Sequence, residues 1–446
     1  MAVSDGTRAR AAERDEFADF IRHVNPPLGR FLAASGRDYR FREAQGCTLT
    51  TEAGEVYTDW IAGFGALNFG HNPAFAREAI TGVLASSAPN LYTDTLNPFA
   101  GGLARRLVQA AGPRFETCFF ANGGSEAIEA ALKTALLATG RAKLAYASGG
   151  YHGTTLGALG CMADGLYRDP FRGALAPIFE AVPFGDAAAL ERCVGRGDVA
   201  AFVLEPIQME AGARIADSNY LREIRAACDR HGTLLVLDEI QTGLGRTGEL
   251  FAFQHAGVEP DLFALGKSLG AGTLAISAVV MGEGIWQRAY GSVLRSEIHN
   301  STLGGNAVAA AVGSAALERA SDPAFLAHVK ETGRELDASL RQALAPFSCV
   351  RRISLRGLLG GIEFEKTEHP WARWAALGLP ELEPHPTSGP LVVQRLSRRH
   401  ILAHVCGHDW SVLRIEPPLV VSRAECDEFV AALAESVAWL EQNAFG

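Results

Sequence analysis

Apolar and polar positions divide the middle of the chain into short apolar runs that alternate with longer amphipathic segments. Each apolar run is bounded by turn-forming residues, and a run of this kind is typical of a buried strand. The predicted strands are Glu116–Asn122, Leu144–Ser148, Val199–Pro206, Leu234–Leu237 and Leu262–Leu265.

Two of the segments between these runs carry helix signals at both ends. In Ser125–Thr139 the apolar residues recur on one helical face, and Gly140 follows as a stop signal. A second predicted helix begins at a capping Asp217 or Ser218 and ends at Gly232. Strands separated by helices predict an α/β fold with a mostly parallel sheet that is covered on both faces.

The flanks of this region have a different pattern. Residues before about 35 predict a polar, partly helical arm, and a hairpin-like reversal is expected at Ala53-Gly54. An alanine-rich helix is expected after Asn306, and a final helix is expected from about Arg423. Because 446 residues are too many for one ordinary core, we expect three parts: 1–69 (arm and part of a small domain), 70–330 (large domain) and 331–446 (rest of the small domain).

Composition narrows the class of protein. The chain is 48% hydrophobic and 20% charged, as in ordinary globular proteins, and its net charge of −9 argues against nucleic acid as a partner. No apolar run approaches the roughly 20 residues of a membrane span, and the charged N-terminus lacks the apolar core of a signal peptide. The eight scattered cysteines predict reduced thiols and a cytoplasmic location. We expect no metal site, because Cys406 and His408 lack a second ligand pair at zinc-like spacing.

Two predicted strands deliver residues that together indicate a chemistry. Leu234–Leu237 is followed by the carboxylates Asp238 and Glu239, and Leu262–Leu265 is followed by Lys267 among small residues. Open α/β sheets bind ligands at the carboxyl ends of their strands, so the lysine and the aspartate are expected in one crevice. Pyridoxal phosphate (PLP) chemistry needs both, because the lysine amine forms a Schiff base with the cofactor aldehyde and the acid pairs with the pyridinium nitrogen.

The phosphate of such a cofactor needs backbone N–H groups at the start of a helix. The sequence Asn122-Gly123-Gly124-Ser125-Glu126-Ala127 places a glycine turn between a predicted strand and a predicted helix. Gly124 and Ser125 are therefore the expected phosphate ligands.

The longest motif is D-E-I-Q-T-G-L-G-R-T-G at 238–248, followed by P-D at 260–261 and G-K at 266–267. This pattern resembles the class III (ω-) aminotransferases, and the resemblance covers most of the chain, weakening before about residue 25 and between 365 and 390. The stretches LRIEPPL and RDPFRGALAPIFEAVPFGD are most similar to putrescine and acetylornithine aminotransferases. The resemblance implies PLP fold type I, of the aspartate-aminotransferase kind, with a large mostly parallel-sheet domain, a smaller α+β domain and a homodimer.

The resemblance also assigns roles to individual residues. Lys267 would form the Schiff base and move the proton as a general base, while Asp238 would face the pyridine nitrogen. Gln241 would contact the side of the cofactor that carries its phenolic oxygen, and Tyr151 would stack on the ring. Thr302 would reach the phosphate of the neighbouring subunit.

Three further residues are expected at the substrate. By resemblance, Phe64 lies near it, Arg414 takes its α-carboxylate, and Glu210 pairs with that arginine when no carboxylate is present. The reaction implied is transfer of an amino group from a terminal primary amine, such as a diamine, an ornithine-like compound or a natural-product amine, to an oxo acid such as 2-oxoglutarate or pyruvate.

Two other functions remain open from the sequence. A PLP-dependent aminomutase of the same class would move the amine within one molecule. A nicotinamide-dependent oxidoreductase is suggested by the G-x-G-x-x-G at Gly243–Gly248, although the segment after it does not predict the long helix of a dinucleotide fold.

The segment 365–390, rich in proline and tryptophan, is either part of the site entrance or an inert insertion.

Overall fold

The computed structural model of the chain describes residues 15–34 and 36–445. These residues form sixteen strands. They are β1 Phe41–Gln45, β2 Thr48–Thr51, β3 Val56–Asp59, β4 Phe115–Ala121, β5 Lys143–Ala147, β6 Phe179–Val182, β7 Val199–Leu204, β8 Ile207–Gln208, β9 Arg214–Ile215, β10 Leu234–Asp238, β11 Leu262–Leu265, β12 Ser277–Gly282, β13 Val350–Arg356, β14 Leu359–Phe364, β15 Ile401–Leu402 and β16 Val412–Ile415.

The α-helices of the described residues are α1 Glu16–Asp19, α2 Pro26–Ala34, α3 Ala62–Gly65, α4 Ala74–Ala85, α5 Pro98–Ala111, α6 Gly124–Thr139, α7 Leu156–Gly160, α8 Ala187–Val194, α9 Ser218–His231, α10 Ile285–Tyr290, α11 Ala307–Ala320, α12 Pro323–Leu344, α13 Ser388–Ser397 and α14 Arg423–Ala444. A π-helical turn spans Phe20–Val24. Short 3₁₀ helices span Asp169–Ala174, Ala252–Ala256, Lys267–Gly270, Pro370–Ala372 and Pro380–Leu382.

A seven-stranded sheet in the order β4-β12-β11-β10-β7-β5-β6 forms the centre of the molecule. Its strands pair in parallel except β12, which is antiparallel to both of its neighbours. Side chains alternate between faces along each strand, so Val236 packs with α6 in one core cluster while Leu235 and Leu237 belong to the cluster on the other face. Both faces are buried, which confirms the predicted covered, mostly parallel sheet.

Both predicted helices form with the expected signals at their ends. Helix α6 begins at Gly124, one residue earlier than predicted, and ends at Gly140 in the left-handed conformation. Helix α9 is capped by the side chain of Asp217 and ends at Gly232, which is also left-handed. Glycine adopts this conformation without steric cost, which is why it follows helix ends.

Smaller sheets lie outside the central one. Strands β1, β2, β3 and β15 form one sheet, in which β15 pairs in parallel with β3 and so joins an early part of the chain to a late one. Strands β13, β14 and β16 form another. The ring of Trp60, just after β3, stacks on Phe429 of α14 with centroids 3.6 Å apart. The three-part division at residues 69 and 330 stays a prediction.

All eight cysteines have free thiols. Within residues 15–34 and 36–445, none of the helices combines the length and apolarity that crossing a bilayer requires.

The stacked pair gives a stability prediction. Replacing Phe429, which is 1% exposed, by alanine removes a large buried ring and should lower stability by about 3–5 kcal/mol. The matched control is Phe171→Ala, because Phe171 is 51% exposed. Thermal melting should show a clear fall in the melting temperature for the first variant and little change for the second. Equal shifts would contradict this account of the core.

Candidate active site

The carboxyl ends of the parallel strands gather at one edge of the central sheet, and most of the predicted site residues follow them. Asp238 is the last residue of β10, and Lys267 comes two residues after β11. Gly124 begins α6 shortly after β4, and Tyr151 follows β5. The expected crevice between these strand ends is therefore formed by residues far apart in sequence.

Lys267 is mostly buried at this edge. Among the described residues its amine takes part in no hydrogen bond or ion pair, and its backbone has a φ of +44°, a strained value for a residue with a side chain. Burial lowers the pKa of the Lys267 ammonium, and the nearby carboxylates of Glu416 and Glu210 partly oppose that effect. A lysine with a lowered pKa supplies free amine, which is the nucleophilic form.

Asp238 is buried against a histidine. Its Oδ2 lies 2.7 Å from His152 Nδ1, and its Oδ1 accepts the backbone N–H of Ile240 at 3.0 Å. Burial opposes a charge on His152, but the hydrogen bond to Asp238 outweighs it and raises the pKa of the imidazole. A carboxylate oxygen accepts more than one hydrogen bond, so Asp238 keeps acceptor capacity for a ring N–H. The sequence indicated no role for His152, because no feature of the residues around it indicates a contact with β10.

Glu205, just after β7, is a second acidic residue at this edge that sequence reasoning missed. It is buried, and its carboxylate accepts the backbone N–H of Tyr151 at 2.9 Å. Burial raises the pKa of Glu205 well above that of an ordinary carboxyl, although the nearby His152 partly opposes this effect. Glu239, whose role the sequence left open, accepts hydrogen bonds from Thr242 and from the N–H groups of Ala252 and Phe253. Its contacts are those of a structural residue.

The start of α6 is shaped to receive an anion. The Glu126 carboxylate accepts the N–H groups of Asn122 at 2.7 Å and Gly123 at 2.9 Å, which leaves the N–H groups of Gly124 and Ser125 at the helix N-terminus, where no intrahelical partner exists. Gly153 has a φ of +111°, and a Cβ there would lie 1.9 Å from Ser125 Oγ. The backbone therefore approaches Ser125 as closely as only glycine permits.

Gln241 and Tyr151 lie near the same crevice, and Thr302 lies on a segment that adjoins it. Gln241 is buried and donates from Nε2 to Glu416 Oε1 at 2.6 Å. The partly buried ring of Tyr151 packs edge-to-face on Tyr167, with centroids 5.7 Å apart. Thr302 is exposed, and its neighbour Ser301 accepts a hydrogen bond from the Asn122 side chain at 2.9 Å.

Arg414, in β16, meets the predicted Glu210 and a second carboxylate. Its Nη2 lies 3.0 Å from Glu210 Oε1 and 3.2 Å from Glu416 Oε2. Its guanidinium carbon lies 4.9 Å from the centre of the Phe64 ring. Burial would raise the pKa of Glu210, but Arg414 outweighs it and the pKa is lowered. Sequence reasoning missed Glu416, although it follows Arg414 by two residues in an extended stretch, a spacing that places both side chains on one face.

The segment after β14 packs behind the loop that reaches this site. The ring of His385 stacks on Trp410 with centroids 4.1 Å apart, and Trp374 packs on Trp410 from another side. The same loop carries His408, whose ring lies 5.7 Å from that of Tyr167. The segment thus contacts the back of a site loop, and the question of its function stays open.

The dinucleotide alternative is wrong. Residues 243–248 form turns, and the only helix between this motif and β11 is the short Ala252–Ala256 element. Arg246 within the motif is fully buried, and its guanidinium donates to Asn68 and to the carbonyl oxygens of Leu358 and Pro417. The long helix that a dinucleotide fold requires after this motif does not exist there.

The donor set fits pyridoxal phosphate. A buried lysine amine without a partner in the described chain stands at the strand ends that also carry a histidine-backed carboxylate and the free N–H groups of a helix start. These are the groups that an aldehyde, a pyridinium nitrogen and a phosphate require. Among the described residues, no group of three or more His, Cys, Asp and Glu side chains could hold a metal ion.

Comparisons with known proteins agree with this site. A sequence model of the family "Aminotransferase class-III" matches residues 33–437. The chain is 35% identical over 466 residues to the aminotransferase PigE of a Serratia species, in an alignment that covers 97% of this chain and 54% of that relative. The chain thus spans about half the length of PigE. It is 34% identical over 430 residues to putrescine aminotransferase of Pectobacterium atrosepticum, covering 93% of this chain and 87% of that protein.

A solved structure supports the same assignment. Ornithine aminotransferase from Toxoplasma gondii, with partial occupancy of PLP at its active site, has a TM-score of 0.82 to this chain at 27% identity. The match covers 98% of this chain and 100% of that one. The predicted fold type I architecture is therefore confirmed. This chain belongs to the class-III aminotransferases, enzymes that use pyridoxal phosphate to transfer amino groups.

Proposed function

We propose that this protein is a transaminase that moves an amino group from a terminal primary amine to an oxo acid such as 2-oxoglutarate or pyruvate. The proposal is carried by the mostly buried Lys267 amine, which has no hydrogen-bond or ion-pair partner among the described residues. It lies at the same sheet edge as Asp238, whose Oδ2 is 2.7 Å from His152 Nδ1. The donor class is a diamine, an ornithine-like compound or a natural-product amine. The relatives named for putrescine and ornithine support this class.

When bound, pyridoxal phosphate supplies an aldehyde that captures the amine and a ring that takes up electrons from the substrate carbon. The Lys267 amine would hold the cofactor at its aldehyde, and once released it would take up and return the proton at the substrate carbon as a general base. Asp238, held by His152, receives the ring N–H and keeps the ring protonated. Gly124 and Ser125 hold the phosphate at the positive end of α6.

The remaining contacts orient the cofactor. Tyr151 covers one face of the ring and excludes water from it. Gln241 lies on the side of the cofactor that carries its phenolic oxygen. Glu416 orients the Gln241 amide with its nitrogen towards the Glu416 carboxylate, because an ionised carboxylate can only accept hydrogen bonds.

Glu210 and Arg414 serve the two substrates in turn. With an amine donor whose reacting carbon carries no carboxylate, Glu210 stays on Arg414. With an oxo acid, Glu210 moves aside and the guanidinium binds the α-carboxylate, which suits its two parallel N–H donors. Phe64, stacked under Arg414, lies beside the same substrate atoms.

The active unit is a homodimer in the cytoplasm. Two segments of one chain expose large apolar side chains that a second copy would cover, and Leu96, Val293 and Leu294 are each 92% exposed. The segment of Leu96 is joined to the segment of Thr302 by a hydrogen bond of 2.9 Å from Asn97 Nδ2 to the carbonyl of Gly305. An exposed patch of this kind is typical of a protein interface. Thr302 lies in the same region and reaches the partner's cofactor phosphate, and the free thiols suit a reducing compartment.

The Schiff-base role predicts a spectroscopic result. The protein purified with cofactor should have an absorbance band at about 400–430 nm, as expected of an imine of the cofactor, and Lys267→Ala should abolish it. Lys366→Ala is the matched control, since Lys366 is exposed, and it should keep the band. A colourless wild-type protein that gains no band when pyridoxal phosphate is added would contradict the proposal.

The dimer predicts a change in mass in solution. Light scattering should give the mass of two chains for the wild type, and the double variant Val293→Asp, Leu294→Asp should give one chain, because it places charges in the covered patch. Leu377→Asp, at a 41% exposed position outside this patch, should remain dimeric. A stable, active wild-type monomer would rule out the dimer.

The Arg414 role predicts unequal effects on the two substrates. Arg414→Ala should raise the KM for 2-oxoglutarate by about tenfold or more, since a charge-assisted hydrogen bond contributes about 1.5–3 kcal/mol. The KM for putrescine should change by less than about threefold, because that donor has no carboxylate. Steady-state kinetics with each substrate varied in turn measure both values. Equal increases would show that Arg414 does not discriminate between them.

A further inference from the structure

One guanidinium nitrogen at the substrate side is shared by two carboxylates. Arg414 Nη2 lies 3.0 Å from Glu210 Oε1 and 3.2 Å from Glu416 Oε2. Exchange of Glu210 for a substrate carboxylate would therefore leave Arg414 with Glu416 still beside it. The two glutamates need not play the same part, and their surroundings differ.

Glu210 reaches the surface of the site, whereas Glu416 is fully buried. The Glu210 side chain is 14% exposed, and its carboxylate also accepts the backbone N–H of Gly407 at 2.6 Å. The Glu416 side chain is 0% exposed, and its Oε1 accepts from the Gln241 amide at 2.6 Å. Both carboxylates lie close to a glycine, since a Cβ at Gly65 would be 2.5 Å from Glu416 Oε1 and a Cβ at Gly407 would be 2.7 Å from Glu210 Oε2. Glu416 therefore stays on Arg414 when Glu210 leaves.

Besides Arg414, the nearby cation Arg246 does not form an ion pair with Glu416. Arg246 is buried nearby, and burial lowers its pKa to about 10, so it stays charged at neutral pH. Its guanidinium hydrogen bonds go to Asn68 and to two backbone carbonyls rather than to Glu416. Glu416 also acts at the reacting amine, because its charge opposes the lowering of the Lys267 pKa more than any other group does.

We propose that Glu416 determines which amines this enzyme accepts, as a fixed carboxylate that disfavours donors with a carboxylate on the reacting carbon and favours donors of the type R–CH₂–NH₃⁺. The inference rests on the proposed transaminase function and names the donor class of that site. Glu416 acts through Arg414 and through its charge, and it does not need to touch the substrate.

The physical reason for this preference is the negative charge of Glu416. A carboxylate arriving at Arg414 meets a guanidinium that already has a fixed anionic partner, and the Glu416 charge repels it in a site where burial strengthens such interactions. An incoming ammonium is attracted by the same charge. The oxo acid still binds, because the departure of Glu210 frees one edge of the guanidinium, but with less affinity than an unpaired arginine would give.

The test uses two donors that differ only in the carboxylate. Butylamine and L-norvaline share one carbon chain, and L-norvaline carries an added carboxylate on the reacting carbon. Half-reactions of the holoenzyme, followed by the cofactor absorbance, should give a higher kcat/KM for butylamine. In Glu416→Gln, which keeps the shape and removes the charge, the ratio of butylamine to L-norvaline should fall by about tenfold or more.

A binding measurement and two further variants separate charge from structure. Calorimetry should show that Glu416→Gln binds glutarate, an unreactive dicarboxylate, about fivefold or more tightly than the wild type does. Glu416→Asp keeps the charge and should retain the wild-type ratio within about threefold. Glu428→Gln, an exposed charge loss in the same lobe, should change neither the ratio nor the affinity.

Several outcomes would overturn the inference. An active Glu416→Gln enzyme with an unchanged ratio and unchanged glutarate affinity would show that Glu416 is structural only. A wild type that prefers L-norvaline would overturn it without any variant, and this comparison decides the matter if Glu416→Gln does not fold. A wild type that transfers no amino group from any amine would contradict the proposed function instead.

Discussion

The burial of the Lys267 amine at the carboxyl edge of the central sheet is the constraint on which the site depends. Burial lowers the pKa of the ammonium and so makes a nucleophile available. That burial is possible because β10 and β11 are covered on both faces, which fixes the strand ends that carry the amine and the Asp238 carboxylate. The strained backbone at Lys267, with φ +44°, is held by this packed surrounding.

The charged side chains around the Lys267 amine are paired with one another. Asp238 is paired with His152, and Arg414 is paired with Glu210 and Glu416. Buried ionic groups of this kind are costly unless their partners are well placed, so the positions of these side chains are narrowly set. In the proposed function, the same arrangement separates a cofactor end at β10 and α6 from a substrate end at β16 and the segment of Phe64.

Local signals in the sequence were sufficient for the helices and strands that carry the site. The capping and stop residues predicted the bounds of α9, and the signals of α6 predicted its start to within one residue. The Asp238 and Lys267 positions followed from strand ends and from the motif. The contact of Asp238 with His152 could not be predicted, because it joins residues 86 positions apart. The contact of Arg414 with Glu416 was missed, although their two-residue spacing in an extended stretch indicates it. The pairing of β15 with β3 was missed because it also joins residues far apart in the sequence.

The central claim is a covalent bond at one lysine, and mass spectrometry tests it most directly. The protein is saturated with pyridoxal phosphate, reduced with borohydride to make the linkage permanent, and digested for peptide mapping. The account predicts that the peptide containing Lys267 gains the mass of the reduced phosphopyridoxyl group. An unmodified Lys267, or modification of another lysine in its place, would contradict it.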